Sequence, residues 1–405
     1  MPLQSESIKT QARPYAPDLI AFLQDLVRIP SVNGRDPERP AAERVAAEAE
    51  KLGFDAALHA RKPDRPNVLV SWGRGPRGFA LIGHLDTVAE GGETWQHPPL
   101  DAVLSNGKMY GRGTADNKAG IACGLYTLAL LRDAGLLDPA EHRVLLAGVA
   151  DEESGASSPD GVRFLLDSGL LPVEGAIYTY AGDIVCIGHR GLLRLRLEAR
   201  GRSVHTGSPA WSRGEGGVNA VTGLAQALLA LEGMDRPAPE GPHFGGLGLT
   251  VTPGTRIEGG EFESMVPSRA EALVDIRLPP GVSGRDVLDE VDQLLERVRA
   301  DRPGLALDTT VKNDLPAAMI DPGHPLALLA RRHARELAGR DCPIEIAGPA
   351  NEGYMLIEAG IPTLCGFGPE GGNAHAPDEW VDLAGLPVTA AVYAAVIRDY
   401  LYMQK

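Results

Sequence analysis

The sequence predicts an α/β protein with a mostly parallel sheet, into which a smaller α+β unit is inserted. Three observations carry this. In the first half, short apolar runs of strand length alternate with long helical patterns, the signature of layered α/β domains. Near residue 189 the texture changes to period-two alternation, as in a sheet with one wet face. Beyond about residue 311 the first texture returns. The length of 405 residues suggests about two domains. The expected division is 1–188 with 311–405 for the outer domain, and 189–310 for the inserted one.

The elements follow in order. In "APDLIAFLQDLVRIPS", Leu19, Ile20, Phe22, Leu23, Leu26 and Val27 recur at helical intervals, and the helix must stop before Pro30. "PERPAAERVAAEAEKLGF" is a second amphipathic helix ended by Gly53. "PNVLVSWG" and "RGFALIGHLD" have the length of buried strands, "KAGIACGLYTLALLRDAG" is a long helix, and "RVLLAGVAD" is a strand. In the inserted unit, "RGLLRLRLEARGR" alternates Leu with Arg and Glu. A helix at "GGVNAVTGLAQALLALEGM", strands at "GLGLTVTPGTRIEGG" and "RAEALVDIRL", a helix at "GRDVLDEVDQLLERVRAD" and a strand at "LALDTTVKN" complete a two-layer unit. "PLALLARRHARELAG" and "IPTLCGFGP" return to the outer domain as helix and strand.

Composition excludes some functions. A net charge of −15 argues against nucleic acid or an anionic membrane as the main partner, since both demand a basic surface. Cys123, Cys186, Cys342 and Cys365 form no C-x-x-C pair, so they read as reduced core thiols. "MPLQSESIKTQARPYAPDL" has no basic segment followed by an apolar one, and no run of ~18 apolar residues occurs, so a cytoplasmic location is expected.

Four motifs could carry chemistry. "LIGHLDTV" puts His84 and Asp86 on one side of an extended chain, which suits an imidazole ligand with a carboxylate behind it and equally a structural pair. In "GRGTADNKAG", Asp116 sits in a glycine-rich turn before a helix, where it could cap the helix or bind a metal. No G-K-[ST] follows, which disfavours a phosphate loop. "LLAGVADEESG" runs a strand into Asp151, Glu152 and Glu153, which is either a solvated loop or a cation site. "GGNAHAPDEWV" places His375 in a small-residue loop. Together they supply the nitrogen and oxygen ligands that zinc accepts.

In order and spacing these motifs resemble the M20 family of zinc aminoacylases and exopeptidases, from "VRIPSV" to "HAPDEWV", nearly the whole chain. The resemblance implies a zinc-peptidase catalytic domain with an inserted ferredoxin-like lid and dimerisation domain. It implies His84 as ligand of one zinc, Asp116 as bridge, Glu153 and His375 as ligands of the other, and Glu152 as general base. Asp86 would orient the His84 imidazole, and the Asp116–Asn117 peptide would be cis. "GRSVHTGSP" resembles the lid signature whose histidine, His205, reaches a partner's site to stabilise the oxyanion. Arg277 in "ALVDIRLPP" matches the arginine that holds a substrate carboxylate. Read alone, His205 is a surface-loop histidine and Arg277 a strand-edge arginine.

Two departures stand out. Where the family carries an acid completing the second zinc site, "AIYTYAGDIVCIGHRG" offers Thr179 or Tyr180, with Asp183 a few residues late. The second site is therefore expected to be weakened or altered, with Tyr180 preferred over Asp183 as its nearer residue. In "GPANEGYM", Asn351 replaces a common aspartate and is expected to alter substrate selection. The leading expectation is a homodimeric enzyme using one or two Zn2+, with Mn2+ or Co2+ also acceptable. It would hydrolyse an amide in a small N-acyl amino acid or short peptide that bears a free carboxylate. The rival from another class is a non-catalytic small-molecule-binding protein, against which the intact Glu152 counts. A serine hydrolase is disfavoured because G-x-S-x-G is absent.

Overall fold

The computed structural model describes residues 5–403, and residues 1–4 of the N-terminal stretch read above lie outside them. The chain forms two compact units. One comprises the residues up to 188 with 319–347 and 351 onward, and the other comprises 189–318 with 348–350.

The first unit is built on a six-stranded sheet in the order Asp55–His59, Asn67–Trp72, His142–Val149, Arg77–His84, Gly175–Tyr178, Thr363–Leu364. The last four strands are mutually parallel, and the first two form an antiparallel edge. Arg77–His84 and His142–Val149 are buried almost throughout, so they read as continuous apolar runs. Helix Ala119–Asp133 is buried on nearly every side, because it lies against the sheet and also against the C-terminal helix Gly385–Met403.

Helix Ala16–Arg28 buries Leu19, Phe22, Leu23, Leu26 and Val27, each worth roughly 1.5–3 kcal/mol. Its last turn leaves carbonyls without helical partners. The buried Lys118 ammonium donates to two carbonyls there, Leu26 O at 2.9 Å and Ile29 O at 3.0 Å. The helix end is thereby tied to the turn that carries Asp116.

The second unit has a four-stranded antiparallel sheet in the order Thr250–Gly259, Arg269–Leu278, Gly191–Arg200, Ala306–Leu315. Helices Ala220–Glu232 and Gly284–Asp301 complete a ferredoxin-like order of strand, helix, strand, strand, helix, strand. Both helices are N-capped by side chains, Asn219 to Thr222 N and Ser283 to Asp286 N. Leu193, Leu195, Leu197 and Ala199 alternate inward into one core with Val287, Val291 and Leu295. This unit runs to 318, past the expected end at 310, because Ala306–Leu315 is one continuous ladder on Gly191–Arg200 that a cut at 310 would sever.

Several elements were not read from the sequence: helix Ser5–Ala12, edge strand Asp55–His59, and a small antiparallel sheet of Gly371–Gly372, Trp380–Asp382, Lys108–Tyr110 and Val103–Ser105. All four cysteines are free and buried. Among the described residues no helix is long and apolar enough to cross a membrane.

Gly120, in the first turn of Ala119–Asp133, has no room for a side chain, since a Cβ there would collide with the Thr179 carbonyl oxygen. Gly120→Ala is expected to destabilise the protein by about 3 kcal/mol or fail to fold, as overpacking against rigid backbone does. Urea denaturation of the purified variant checks this.

Candidate metal centre

Three adjacent parallel strands deliver side chains to one edge of the sheet. Arg77–His84 ends in His84, His142–Val149 runs into Glu152 and Glu153, and Gly175–Tyr178 runs into Tyr180. The carboxyl edge of parallel strands is where α/β sheets place their sites. Asp116 arrives from the turn before helix Ala119–Asp133, where the Asp116–Asn117 peptide is cis, as the resemblance implied. The neighbouring Asn117 Oδ1 accepts the His84 backbone N–H at 2.9 Å and joins turn to strand. His375 comes from a loop in which it and Asn373 hold left-handed backbone angles.

These side chains converge. Asp116 lies between two imidazoles, its Oδ1 2.8 Å from His84 Nε2 and its Oδ2 3.2 Å from His375 Nε2. His375 Nε2 is also 3.1 Å from Glu153 Oε1. Asp116, Glu153 and His375 bring one ligand atom each within 4.8 Å of one another, and so do His84, Glu152 and Glu153. One imidazole nitrogen with two carboxylate oxygens fits a divalent ion of the zinc type. The hydrogen bonds of His375 to Asp116 and Glu153 push its pKa up to about 10. Burial works against the charge on His84, but Asp116 and Asp86 still hold its pKa well above the ordinary value.

Glu152 is buried beside this cluster. Burial raises its pKa well above the usual carboxyl range; the His84 charge opposes this, and Glu153 and Asp116 add repulsion. Tyr180 donates its hydroxyl to Glu152 Oε1 at 3.2 Å, and its ring lies 5.7 Å from that of His84. Burial drives the Tyr180 phenol well above its ordinary pKa, with Glu152 and Asp116 adding to the effect.

Asp86 organises the acidic turn. Its carboxylate accepts the backbone N–H of Glu152 at 3.3 Å and of Glu153 at 2.9 Å, and Asn33 Nδ2 at 2.7 Å. Its link to His84 Nδ1 is closest through its own carbonyl oxygen, at 2.9 Å, while the carboxylate stands 3.5 Å away. Asp151, the first of the three acids, turns away from the cluster in a left-handed conformation, bonded to Arg65, Asn33 and Ser158.

A sequence profile of peptidase family M20/M25/M40 matches residues 80–399. The chain belongs to the M20 family. It is 30% identical over 401 residues to a succinyl-diaminopimelate desuccinylase of Methylobacterium radiotolerans, covering 95% of this chain and 98% of that one. Its fold is similar to that of a tripeptidase of Staphylococcus aureus, with a TM-score of 0.75 at 19% identity over 96% and 99% of the two chains. It is similar also to the Bacillus subtilis YXEP protein, described as a dinuclear metal-binding peptidase, with a TM-score of 0.72 at 16% identity over 96% and 99%. The chain is an M20-type amidohydrolase.

Asp183 is exposed in its loop and belongs to neither ligand cluster. Asn351 is buried with its amide engaged locally, donating to Cys365 O and accepting from Gly353 N at 2.9 Å, so both ends serve the backbone. In the second unit, His205 is exposed, and its Nδ1 accepts from Gly207 N at 3.0 Å. Arg277 is paired with Asp275 at 2.7 Å. Arg190, which the sequence reading passed over, donates to Gly248 O and to Thr250 Oγ1. Burial and the neighbouring Arg277 charge lower its pKa.

Glu379 was also missed, although it sits in the quoted "HAPDEWV". It is fully buried and accepts from Arg112 Nη1 at 2.6 Å and from three backbone amides: Gly113 at 3.0 Å, Ala115 at 2.8 Å and Asp116 at 3.0 Å. One carboxylate thus fixes the Asp116 turn. Glu379→Ala leaves Arg112 buried and unpaired, and is expected to cost about 3–5 kcal/mol. Its metal affinity should fall about 10- to 100-fold, as when residues supporting a ligand are lost. Denaturant titration and zinc calorimetry on the same preparation measure the two effects.

Proposed function

We propose that this chain hydrolyses the amide bond of a small N-acyl amino acid or short peptide bearing a free carboxylate, with zinc held at Asp116, Glu153 and His375. The observation that carries this reading is a buried carboxylate, Glu152, set beside a cluster with three metal-ligand types. When bound, the ion supplies Lewis acidity to the amide carbonyl and to the attacking water. Mn2+ or Co2+ would satisfy the same ligands.

Glu152 takes the proton of the attacking water and returns it to the departing amine, a role that its buried place beside the cluster suits. Asp86 serves both ends of the site, because it anchors the backbone of Glu152 and Glu153 and contacts the far nitrogen of His84. Arg277 holds the substrate carboxylate, and the adjacent Arg190 adds a second guanidinium in a chain that is otherwise strongly acidic. His205 donates to the oxyanion in the site of a second copy. A homodimer is supported by the second unit's edge strand Thr250–Gly259, whose surroundings expose Val221, Leu229, Ile257 and Phe262. Asn351, a neutral amide where the family commonly has an aspartate, alters substrate selection because it cannot pair with a cationic group as a carboxylate does.

Chelation is expected to abolish hydrolysis across a panel of N-succinyl, N-acetyl and dipeptide substrates, and added zinc to restore it. Failure to cleave any amide in the metal-loaded state defeats the reading. Glu152→Gln is expected to lower kcat by about 10²–10⁴ while metal content stays constant. Arg277→Met is expected to raise KM about ten- to hundredfold for substrates with a free carboxylate, with little change for the corresponding amides; steady-state kinetics on the paired substrates check this.

A further inference from the structure

Resting on the metal-dependent reading above, we propose that this chain works with one tightly held divalent ion per subunit. Tyr180 stands where a second ion would need a charged ligand, and it acts as a hydrogen-bond donor that positions Glu152.

The ligands around Asp116 are unequal on its two sides. On the His375 side, Glu153 completes a set of one imidazole and two carboxylates. On the His84 side, the residue beyond the strand end is a phenol, and its hydrogen bond is directed to Glu152 Oε1. A phenol brings no negative charge, so a second ion there would share Asp116 with the first and could draw further charge only from Glu153, already used by the first ion, or from Glu152. The other cluster, His84 with Glu152 and Glu153, could hold an ion only by turning Glu152 into a ligand, which would remove the base.

Tyr180 is also built into its place. Its ring stacks on Tyr178, with centroids 5.2 Å apart and planes 21° from parallel. The Tyr178 hydroxyl is held by the buried Glu352 at 3.2 Å, and Glu352 accepts in turn from Val162 N at 3.3 Å. Behind Tyr180, its carbonyl oxygen sits where a Cβ on Gly368 would have to go, so the backbone there is packed without slack. Asp183 cannot take over the position: its loop is pinned by Gly182 N to Pro369 O at 3.0 Å, and its side chain is exposed. With Oε1 of Glu152 engaged by the phenol, its other oxygen is left to accept the proton from water.

The test is zinc titration of the chelator-stripped full chain by calorimetry, with bound metal counted by elemental analysis, for wild type, Tyr180→Phe and Tyr180→Glu. Thermal melts establish that each variant is folded. The expected result is one tight site in wild type, and one in Tyr180→Phe with kcat about tenfold lower and KM unchanged, as loss of one hydrogen bond predicts. Tyr180→Glu is expected to gain a second site. Two sites of equal affinity in wild type, or a single site persisting in folded Tyr180→Glu, would overturn the proposal. So would loss of metal in Tyr180→Phe, or a phenolate-to-copper charge-transfer band in the Cu(II)-substituted wild type that Tyr180→Phe lacks. If Tyr180→Glu does not fold, the wild-type count, Tyr180→Phe and the copper spectrum decide. Absence of any tight ion in wild type would instead defeat the parent reading, a distinct outcome.

Discussion

Crowded negative charge is the constraint on which this site depends. Asp86, Asp116, Asp151, Glu152, Glu153 and Glu379 gather at one end of a sheet, and such clusters repel unless each member finds a donor. The fold supplies those donors largely from backbone amides and a few buried cations. Asp86 takes the N–H groups of the acidic turn, Glu379 takes three amides of the Asp116 turn together with Arg112, and Asp151 takes Arg65. Asp116 and Glu153 are left to the imidazoles. The candidate ligands are thus distinguished from the supporting acids by what is already bonded to them.

Glu152 differs from all of these. It is buried, its side-chain hydrogen-bond partner among the described residues is the Tyr180 hydroxyl, and it lies between a supporting acid and a candidate ligand in sequence. The left-handed backbone at Asp151 is what separates the fates of three consecutive acids. It sends the first away toward Arg65 and starts the tight turn from which the next two enter the site. Aspartate tolerates that conformation better than most residues, so its presence before the two glutamates has a conformational as well as an electrostatic reason.

Much of this was legible in the sequence because the signals were local. Helix Ala16–Arg28 and strand Arg77–His84 announce themselves by periodicity and by Pro and Gly punctuation, and His84, Asp116 and Glu153 sit at strand ends or turns that the motifs mark. The small sheet that carries the His375 loop was not legible, since strands of two or three residues have no period to detect. Nor was Glu379, whose partner Asp116 is 263 positions away and whose own neighbourhood reads as an ordinary acidic loop. The boundary was set at 310 from the change of texture near 311, whereas the ladder of Ala306–Leu315 on Gly191–Arg200 carries on to Leu315, a long-range pairing that texture does not reveal. Asn351 was read from its departure from the family motif as a residue that alters substrate selection, and the hydrogen bonds of its amide to Cys365 O and Gly353 N, long-range or turn contacts, were not legible there.

The segment 375–379 contributes His375 to the cluster, binds Gln96 and His97 through Asp378, and holds the Asp116 turn through Glu379. Three parts of the chain made early in synthesis are therefore fastened by a short stretch made near its end. A growing polypeptide carries Asp116 and Glu153 long before it has the piece that braces them, so completion of the first unit is a late event on the ribosome's timetable.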